Sequence, residues 1–124
     1  MKKKSRMYYR RKADKLWSQL IMSKRHCEVC GNKGTNPHHI IGRKNLTLRH
    51  DPRNGILLCF THHTGGNLSA HNDPMWLMKW LVENRISDYG DVMFLKKKLS
   101  TQVDYQERIK SLEEHLKTYG EEGK

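Results

Sequence analysis

The spacing of three cysteines and one histidine constrains the fold of this chain more than any other feature. Cys27 and Cys30 form a Cys-x-x-Cys pair, and Cys59 and His62 form a Cys-x-x-His pair further along the chain. Three thiolates and an imidazole are a common tetrahedral ligand set for structural zinc, and each two-residue gap lets a turn or helix start bring both ligands to one ion. A redox role for the first pair would leave the second unexplained. The sequence therefore predicts a zinc ion that joins two distant segments and adds folding energy.

The size and composition of the chain agree with a metal-stabilised domain. It has 124 residues, of which 35% are hydrophobic, so one small domain with a modest core is expected. Three cysteines cannot all pair, which favours metal binding inside the cell over a disulfide framework. The sequence has no apolar run long enough to span a bilayer, and its basic start lacks the apolar segment of a secretory signal. We expect a cytoplasmic protein with no membrane partner.

The positive charge of the chain is unevenly distributed. The formal net charge is +11, and residues 1–26 contain ten Lys and Arg residues against one acid. Residues 72–124 contain nine basic and ten acidic residues. A basic arm can simply aid solubility, but this asymmetry favours a polyanionic partner bound by release of counterions.

The first half of the chain is predicted to form a helix followed by a small hairpin. Apolar residues recur at helical spacing over residues 5–25 between Lys and Arg residues, which predicts an amphipathic helix that packs Leu16, Trp17 and Leu20 on the next segment. A short strand is expected over Pro37–Ile41, and a loop with a return strand over residues 42–53. Asn54-Gly55 is a turn signal.

The segment after this turn completes a ββα arrangement around a metal. Residues 56–58 form an apolar run into Cys59, where a helix should begin, and Gly65-Gly66 should interrupt that helix after about one turn.

The C-terminal part of the sequence is predicted to be helical. Asp73 is a candidate N-cap with Pro74 at the first helical position. Residues 87–90 should break that helix, a short helix should follow from Asp91, and residues 102–118 should form a charged helix. The predicted class is α+β, mainly α, as one compact domain: a basic N-terminal helix (1–25), a zinc-clamped core (26–72) and a helical extension (73–124).

A second set of residues, His38, His39, Asn54 and His63, interleaves with the zinc ligands. Metal-assisted cleavage of a phosphodiester needs a base to activate water and a cation to stabilise the developing charge. A neutral imidazole suits the first role near pH 7. Neighbouring strand residues point to opposite faces, so we expect separate roles for the adjacent histidines only if the backbone bends there.

These residues carry a resemblance to a known family. The segment PHHIIGRKNLTLRHDPRNGILLCFTHH resembles the HNH (His-Me finger, ββα-metal) nuclease motif, with the spacing of colicin-type nuclease domains. The zinc-flanked form is similar to the HNH enzymes of phages and restriction systems. The segment ADKLWSQLIMSKRHCEVCG also resembles the region before the first cysteine pair in phage NinG-type recombination nucleases. The HNH resemblance covers residues 26–72, the second adds 13–25, and neither explains 73–124.

The resemblance implies a role for each residue of the motif. It makes His39 the general base and His38 a ligand of a catalytic Mg²⁺ or Mn²⁺ ion, at a position where many members have Asp. It makes Asn54 the brace of the His39 loop and His63 a second metal ligand.

Two residues are candidates for the last ligand of the catalytic metal. Asn67 stands at the family position, but Gly65-Gly66 makes regular helical geometry there doubtful, so His71 is favoured. His26 and His50 fit no role in the motif. We expect both at the surface, with His50 a candidate phosphate contact.

Basic residues around the motif are predicted to contact backbone phosphates. This set consists of Arg10, Arg11, Arg43, Lys44, Arg49 and Arg53. No residue set suggests reading of base edges, so binding should be sequence-nonspecific or structure-specific.

The resemblance implies an endonuclease that hydrolyses DNA and leaves a 5′-phosphate. A phage-encoded enzyme acting in the bacterial cytoplasm, in recombination on branched DNA or in packaging, fits best, and homing fits least. The alternative is a non-catalytic zinc module that binds nucleic acid. The charged C-terminal helix could in addition bind a second copy or a phage protein.

Overall fold

Helices and one small sheet make up the fold. The computed structural model describes residues 4–98 and 103–122, with side chains described as far as residue 118. Four α-helices occur in these residues: α1 (Arg6–Met22), α2 (Pro74–Asn84), α3 (Ile86–Lys96) and α4 (Tyr105–Glu122). The strands β1 (Asn36–His39) and β2 (Gly55–Leu58) form a two-stranded antiparallel sheet. A 3₁₀ turn (Pro52–Asn54) precedes β2 and a π-helical turn (Thr61–Gly65) follows it. No helix in the described ranges is long and apolar enough to cross a membrane.

Helix α1 packs by the apolar stripe that its sequence predicts. Ser5 caps its first turn by accepting a hydrogen bond from the Tyr8 N–H. Trp17 and Leu20 are buried, and Leu16 packs at the margin of the same cluster. The cluster, called here the α1–α4 core, consists of Ala13, Trp17, Leu20, Ile21, Leu57, Ile109 and Leu112.

Strand β2 separates this core from a second one. Consecutive side chains of a strand point to opposite faces; Leu57 therefore joins the α1–α4 core, while Ile56 and Leu58 pack on the other face. The second cluster, called the α2 core, consists of Cys27, Ile56, Leu58, Cys59, Ala70, Leu77 and Leu81. In the β1–β2 register, His38 lies opposite Ile56 and His39 opposite Gly55.

Gly55 serves close packing, not the turn predicted for Asn54-Gly55. It is the first residue of β2 and has an extended backbone with φ of −124°. A Cβ atom there would overlap the Ile21 side chain and lie 2.8 Å from Trp17 Cζ2. A glycine lets α1 approach the sheet at the residue opposite His39.

The boundaries of the C-terminal helices differ in part from the expectation. Asp73 caps α2 by accepting from the Trp76 N–H, as predicted. The break expected at residues 87–90 is wrong, because α3 runs through them and the chain bends at Arg85. The Arg85 guanidinium donates to the Gly55 carbonyl (2.8 Å) and pairs with Asp88 (3.0 Å). These contacts hold the bend at a residue without turn propensity.

Two further predictions concern short elements. The helix expected after Cys59 is a single π-helical turn that ends at Gly65, where the double glycine predicts its end. The charged C-terminal helix begins at Tyr105; its expected start at residue 102 lies outside the described residues, and the helix continues past 118 to Glu122.

Candidate functional site

Cys27, Cys30, Cys59 and His62 come together as the sequence predicts. Their ligand atoms all lie within 4.8 Å of one another. Cys30 Sγ is 3.7 Å from Cys59 Sγ, and His62 Nδ1 is 3.3 Å from Cys59 Sγ and 3.9 Å from Cys27 Sγ. Tetrahedral zinc holds such atoms about 3.6–3.8 Å apart, given bonds of about 2.3 Å to sulfur and 2.0–2.1 Å to nitrogen. This Cys3His cluster is compatible with a structural zinc ion.

Local backbone geometry sets two of these ligands. Between Cys27 and Cys30 the chain makes a tight turn in which the Gly31 N–H donates to the Cys27 carbonyl (2.9 Å) and the Cys27 N–H donates to the Asn32 carbonyl (2.7 Å). Gly31 has φ of +79°, a conformation that glycine adopts without strain. Burial raises the pKa of the Cys27 thiol, but hydrogen bonds from nearby backbone N–H groups outweigh burial and lower it. A thiol of lowered pKa ionises readily to the form that binds metal.

A second cluster contains three histidines. His38 from β1, His63 from the π-helical turn and His71 from the following loop have ligand nitrogens within 4.8 Å of one another. His63 Nε2 and His71 Nε2 are 3.1 Å apart, which suits two imidazoles bound to one metal at about 2.1 Å each. Burial, with the other two histidines nearby, lowers the pKa of His38 to about 4. Its imidazole is therefore neutral at pH 7, the form that coordinates a cation.

The loop after the π-helical turn brings His71, not a continuing helix, to this cluster. Gly66 is extended (φ −97°, ψ 167°), so the helix does not continue from His63 to Asn67, which is exposed. The His71 N–H donates to the His63 carbonyl (3.1 Å). The Asn72 amide, which sequence reasoning missed, donates to the Thr64 (2.9 Å) and Gly66 (2.8 Å) carbonyls and fixes the loop. Nothing in the local sequence distinguishes this asparagine from an exposed loop residue.

His39 points to the opposite face of the sheet from His38, without a bend in the strand. Its ring stacks on Trp17 of α1, with centroids 3.8 Å apart and planes at 8°. His39 Nε2 lies 2.9 Å from the Arg49 carbonyl oxygen. Because a carbonyl only accepts, Nε2 carries the proton and Nδ1 keeps a free lone pair. Burial is the largest cause that lowers the pKa of His39, which favours this neutral form.

Asn54 is fully buried and fastens both ends of the loop that follows β1. Its amide N–H groups donate to the carbonyls of Ile41 (2.9 Å) and Leu48 (3.0 Å), and its Oδ1 accepts from the Ile41 N–H (2.7 Å). All three bonds reach backbone groups of one loop. The same loop contains Arg49, whose carbonyl binds His39.

An ion-pair network from α1 supports the same loop. Asp14 accepts two hydrogen bonds from the Arg49 guanidinium (2.7 and 2.8 Å) and one from His50 Nε2 (2.6 Å). His50 was expected at the surface but is 2% exposed, because Asp14 on α1 and Arg108 on α4 bind its two ring nitrogens. Burial, opposed in part by Asp14, lowers the pKa of His50 to about 4. Sequence reasoning missed Asp14, whose partners lie far along the chain.

The six basic residues predicted to contact phosphates occupy different environments. Arg49 is buried against Asp14, and Arg53 pairs with Asp51 (2.8 Å) and Asp91 (3.1 Å). These two guanidiniums stabilise the fold. Arg11 is exposed on α1. Arg10, Arg43 and Lys44 border an open cavity next to the loop.

Comparisons with protein-family models, with curated proteins and with solved structures give no match for this chain. The function is therefore argued from the geometry of the two clusters and of His39.

Proposed function

We propose that this protein is a metal-dependent endonuclease of the HNH (His-Me finger) type that hydrolyses DNA phosphodiester bonds. The observation that carries the proposal is that the adjacent residues His38 and His39 lie on opposite faces of β1. His38 joins His63 and His71 on one face of the sheet, and His39 lies on the other, with its Nε2 bonded to the Arg49 carbonyl. The two strands and the π-helical turn then correspond to a ββα-metal core with a shortened helix.

In this proposal His39 is the general base. Its Nδ1 accepts a proton from the attacking water, and the Arg49 carbonyl accepts from Nε2–H before and after that transfer. The cavity beside it, of about 230 Å³, is lined by Asp14, Trp17, Ser18, Pro37, His39 and Arg43. In the proposal Arg43, whose side chain is 61% exposed, contacts the scissile phosphate.

The three-histidine cluster would hold the catalytic cation. A bound divalent ion would stabilise the charge that develops on the phosphate and on the leaving oxygen. In-line displacement requires the nucleophile and the leaving group on opposite sides of the phosphorus, so the proposal requires His39 and the three-histidine cluster to reach one phosphate from opposite sides.

The donor set also bears on which cation is used. Three imidazoles suit Zn²⁺, Ni²⁺ and related ions, whereas Mg²⁺ prefers carboxylate, carbonyl and water oxygens. Among Mg²⁺, Mn²⁺, Co²⁺ and Ni²⁺, we therefore expect Mg²⁺ to bind this cluster most weakly. Isothermal titration of each metal into His71→Ala, Asn67→Ala and wild type, with the Cys3His cluster already loaded, identifies the third ligand without measuring cleavage. Only His71→Ala should weaken binding.

The Cys3His cluster is proposed to hold a structural zinc. The purified chain should contain about one zinc that resists dialysis, as measured by elemental analysis. A chain that folds and cuts DNA with no such zinc would overturn this assignment.

A cleavage assay tests the proposed function. Wild type, His39→Ala and the control His115→Ala, an exposed histidine of α4, are compared on duplex, single-stranded and four-way-junction DNA with Mg²⁺, Mn²⁺, Co²⁺ and Ni²⁺. We expect His39→Ala to lose about 10²–10⁴-fold in rate and His115→Ala to match wild type. Equal rates for all three would overturn the mechanism.

DNA binding with no cleavage under any metal would favour a non-catalytic zinc module instead. Preference for the four-way junction would support a role in recombination, and preference for duplex a role in processing or packaging.

A further inference from the structure

An open cavity of about 480 Å³ lies between α1 and the loop that follows β1. The residues that line it are Arg10, Arg43, Lys44, Leu46 and Arg49, so its rim is almost entirely cationic. It is called here the Arg10 pocket. These positive side chains repel one another, which raises the electrostatic free energy of the protein unless an anion lies close to them.

The protein itself supplies little negative charge to this pocket. Asp14 already accepts two hydrogen bonds from Arg49, and Arg43 approaches it only to 3.6 Å. Within residues 4–98 and 103–122, neither Arg10 nor Lys44 forms an ion pair. Arg10 and Lys44 are therefore the cations of this pocket that remain to bind a ligand.

Arg10 provides an independent observation. Its Nε atom is buried and has no hydrogen-bond partner in the part of the chain that the structure describes. A buried donor without a partner is destabilising, and native structures contain few of them. A turn of the Arg10 side chain towards an anion in the pocket would give this N–H an acceptor.

The position of the pocket indicates which anion it takes. Arg43 lines both the Arg10 pocket and the cavity beside His39, so the two cavities adjoin. Leu46 gives the pocket an apolar wall against which a sugar can pack. A guanidinium matches the geometry of a phosphate, and a strand with one phosphate beside His39 would carry its neighbour towards this pocket.

We propose that the Arg10 pocket binds a backbone phosphate of the nucleic-acid strand, next to the phosphate that is cut. The inference rests on the proposed function for the position of the strand, but binding at the pocket needs neither metal nor cleavage. The proposal assigns phosphate contact to residues of α1 and its neighbouring loop, and not to Arg49 and Arg53, which form ion pairs within the fold.

Salt-dependent binding tests the proposal. Anisotropy of a labelled duplex is measured in EDTA at several salt concentrations for wild type, Arg10→Gln and Lys44→Gln. The control Lys79→Gln removes the same charge from an exposed position on α2. Each contact to a phosphate contributes about 0.9 to the slope of log affinity against log salt. We expect each pocket variant to lower that slope, by at most about 0.9, the contribution of one phosphate, and Lys79→Gln to leave it unchanged. Zinc content and thermal unfolding confirm that the variants fold.

The outcomes distinguish the pocket from the proposed nuclease. Pocket variants with the slope of Lys79→Gln would overturn the phosphate assignment even if the wild type cuts DNA. Lowered slopes in a protein that cuts nothing would support the pocket and remove the nuclease. Inorganic phosphate at constant ionic strength provides a further arm. Competition that Arg10→Gln abolishes would support a phosphate site that the strand occupies, whereas phosphate that binds the wild type without displacing the duplex would overturn the assignment to a strand.

Discussion

At the scale of single residues, His39 is positioned by two contacts that act on different motions. Stacking on Trp17 at 3.8 Å fixes the plane of the imidazole but still permits rotation within that plane. The hydrogen bond from Nε2 to the Arg49 carbonyl stops this rotation and selects the tautomer. Trp17 is itself fixed, because its Nε1–H donates to the Asp51 carbonyl (3.0 Å). A residue outside the HNH-like motif therefore aims the proposed base.

Replacing Trp17 should reduce cleavage through His39 without touching the metal ligands. We expect Trp17→Leu to lose about tenfold to hundredfold in single-turnover rate, because the freed ring leaves its reactive geometry. Trp17→Phe keeps an aromatic face and should lose less. Both are assayed well below their melting temperatures, with zinc content as the check on folding. A folded Trp17→Leu that cuts at the wild-type rate would show that stacking has no role.

Gly55→Ala should destabilise the protein by about 1–3 kcal/mol, as expected of overpacking. The added methyl group would collide with Ile21 and Trp17, the residues that bring α1 onto the sheet. Gly42→Ala is the matched control, since nothing lies within 4 Å of a Cβ atom there. Urea unfolding of both variants measures the free energies. Equal effects of the two substitutions would contradict the close-packing role of Gly55.

These residues show which parts of the site can be read from the sequence. Cys27, Cys30, Cys59 and His62 are predictable because zinc chemistry limits both ligand type and local spacing. Asp14 was not, because it acts through Arg49, which is 35 residues away in sequence. The role of Gly55 was also missed. Its neighbours are set by the packing of α1, whereas Asn-Gly is locally a turn signal.

At the scale of elements, β2 lies between two cores that depend on different forces. Leu57 belongs to the α1–α4 core, which is formed by helix packing. Ile56 and Leu58 belong to the α2 core, which includes Cys27 and Cys59. The Cys3His cluster therefore lies within the packing of α2, and His62 also stacks near Trp76 of that helix (5.7 Å between centroids). The positions of the helices can be predicted from amphipathic spacing in the sequence. The separation of the two cores by the four-residue strand β2 cannot.

Removing the proposed zinc should weaken the α2 core more than the α1–α4 core. We expect a strong chelator to lower the melting temperature and increase amide exchange in α2, because ligand binding is coupled to folding. Exchange in α1 and α4 should change less. His62→Ala should reproduce the effect, while His26→Ala, an exposed neighbour of the cluster, should not. Uniform loss of protection across all helices would contradict two separable cores.

At the scale of the whole molecule, one network joins segments from the beginning, middle and end of the described chain. Asp14 of α1 binds Arg49 and His50 of the loop, and Arg108 of α4 donates to His50 Nδ1 (3.3 Å). Arg108 also donates to the Thr47 carbonyl (2.9 Å). The packing of α4 on α1 therefore contributes to the position of the loop that holds His39.

This network should make stability depend on pH. Burial lowers the pKa of His50 from 6.5 to about 4, so between these values the unfolded chain binds a proton that the folded chain does not. Stability should therefore fall as pH decreases from about 6.5 to 4. The charged and titratable groups that face His50 are Asp14, Arg49, Tyr105 and Arg108.

Urea unfolding of wild type and His50→Gln across this range tests the prediction. The variant should show a flatter profile between pH 6.5 and 4, and His115→Gln should follow wild type. Asp14 acts at lower pH: burial raises its pKa, but hydrogen bonds from Arg49 and His50 outweigh this and lower it to about 2. Its contribution is present above the ordinary value of 3.8 and is lost as pH falls towards 2. Parallel profiles for wild type and His50→Gln would contradict the role of His50.

The pairing of α1 with α4 also sets an order of events during synthesis of the chain. All candidate ligands of both clusters precede α2 in the chain, so they leave the ribosome before the helix that packs on the Cys3His cluster. Arg108 leaves the ribosome only after α3, and until then His50 and the loop that it supports lack this partner. In a nascent chain the proposed base is therefore fully positioned only after the last described helix has been made.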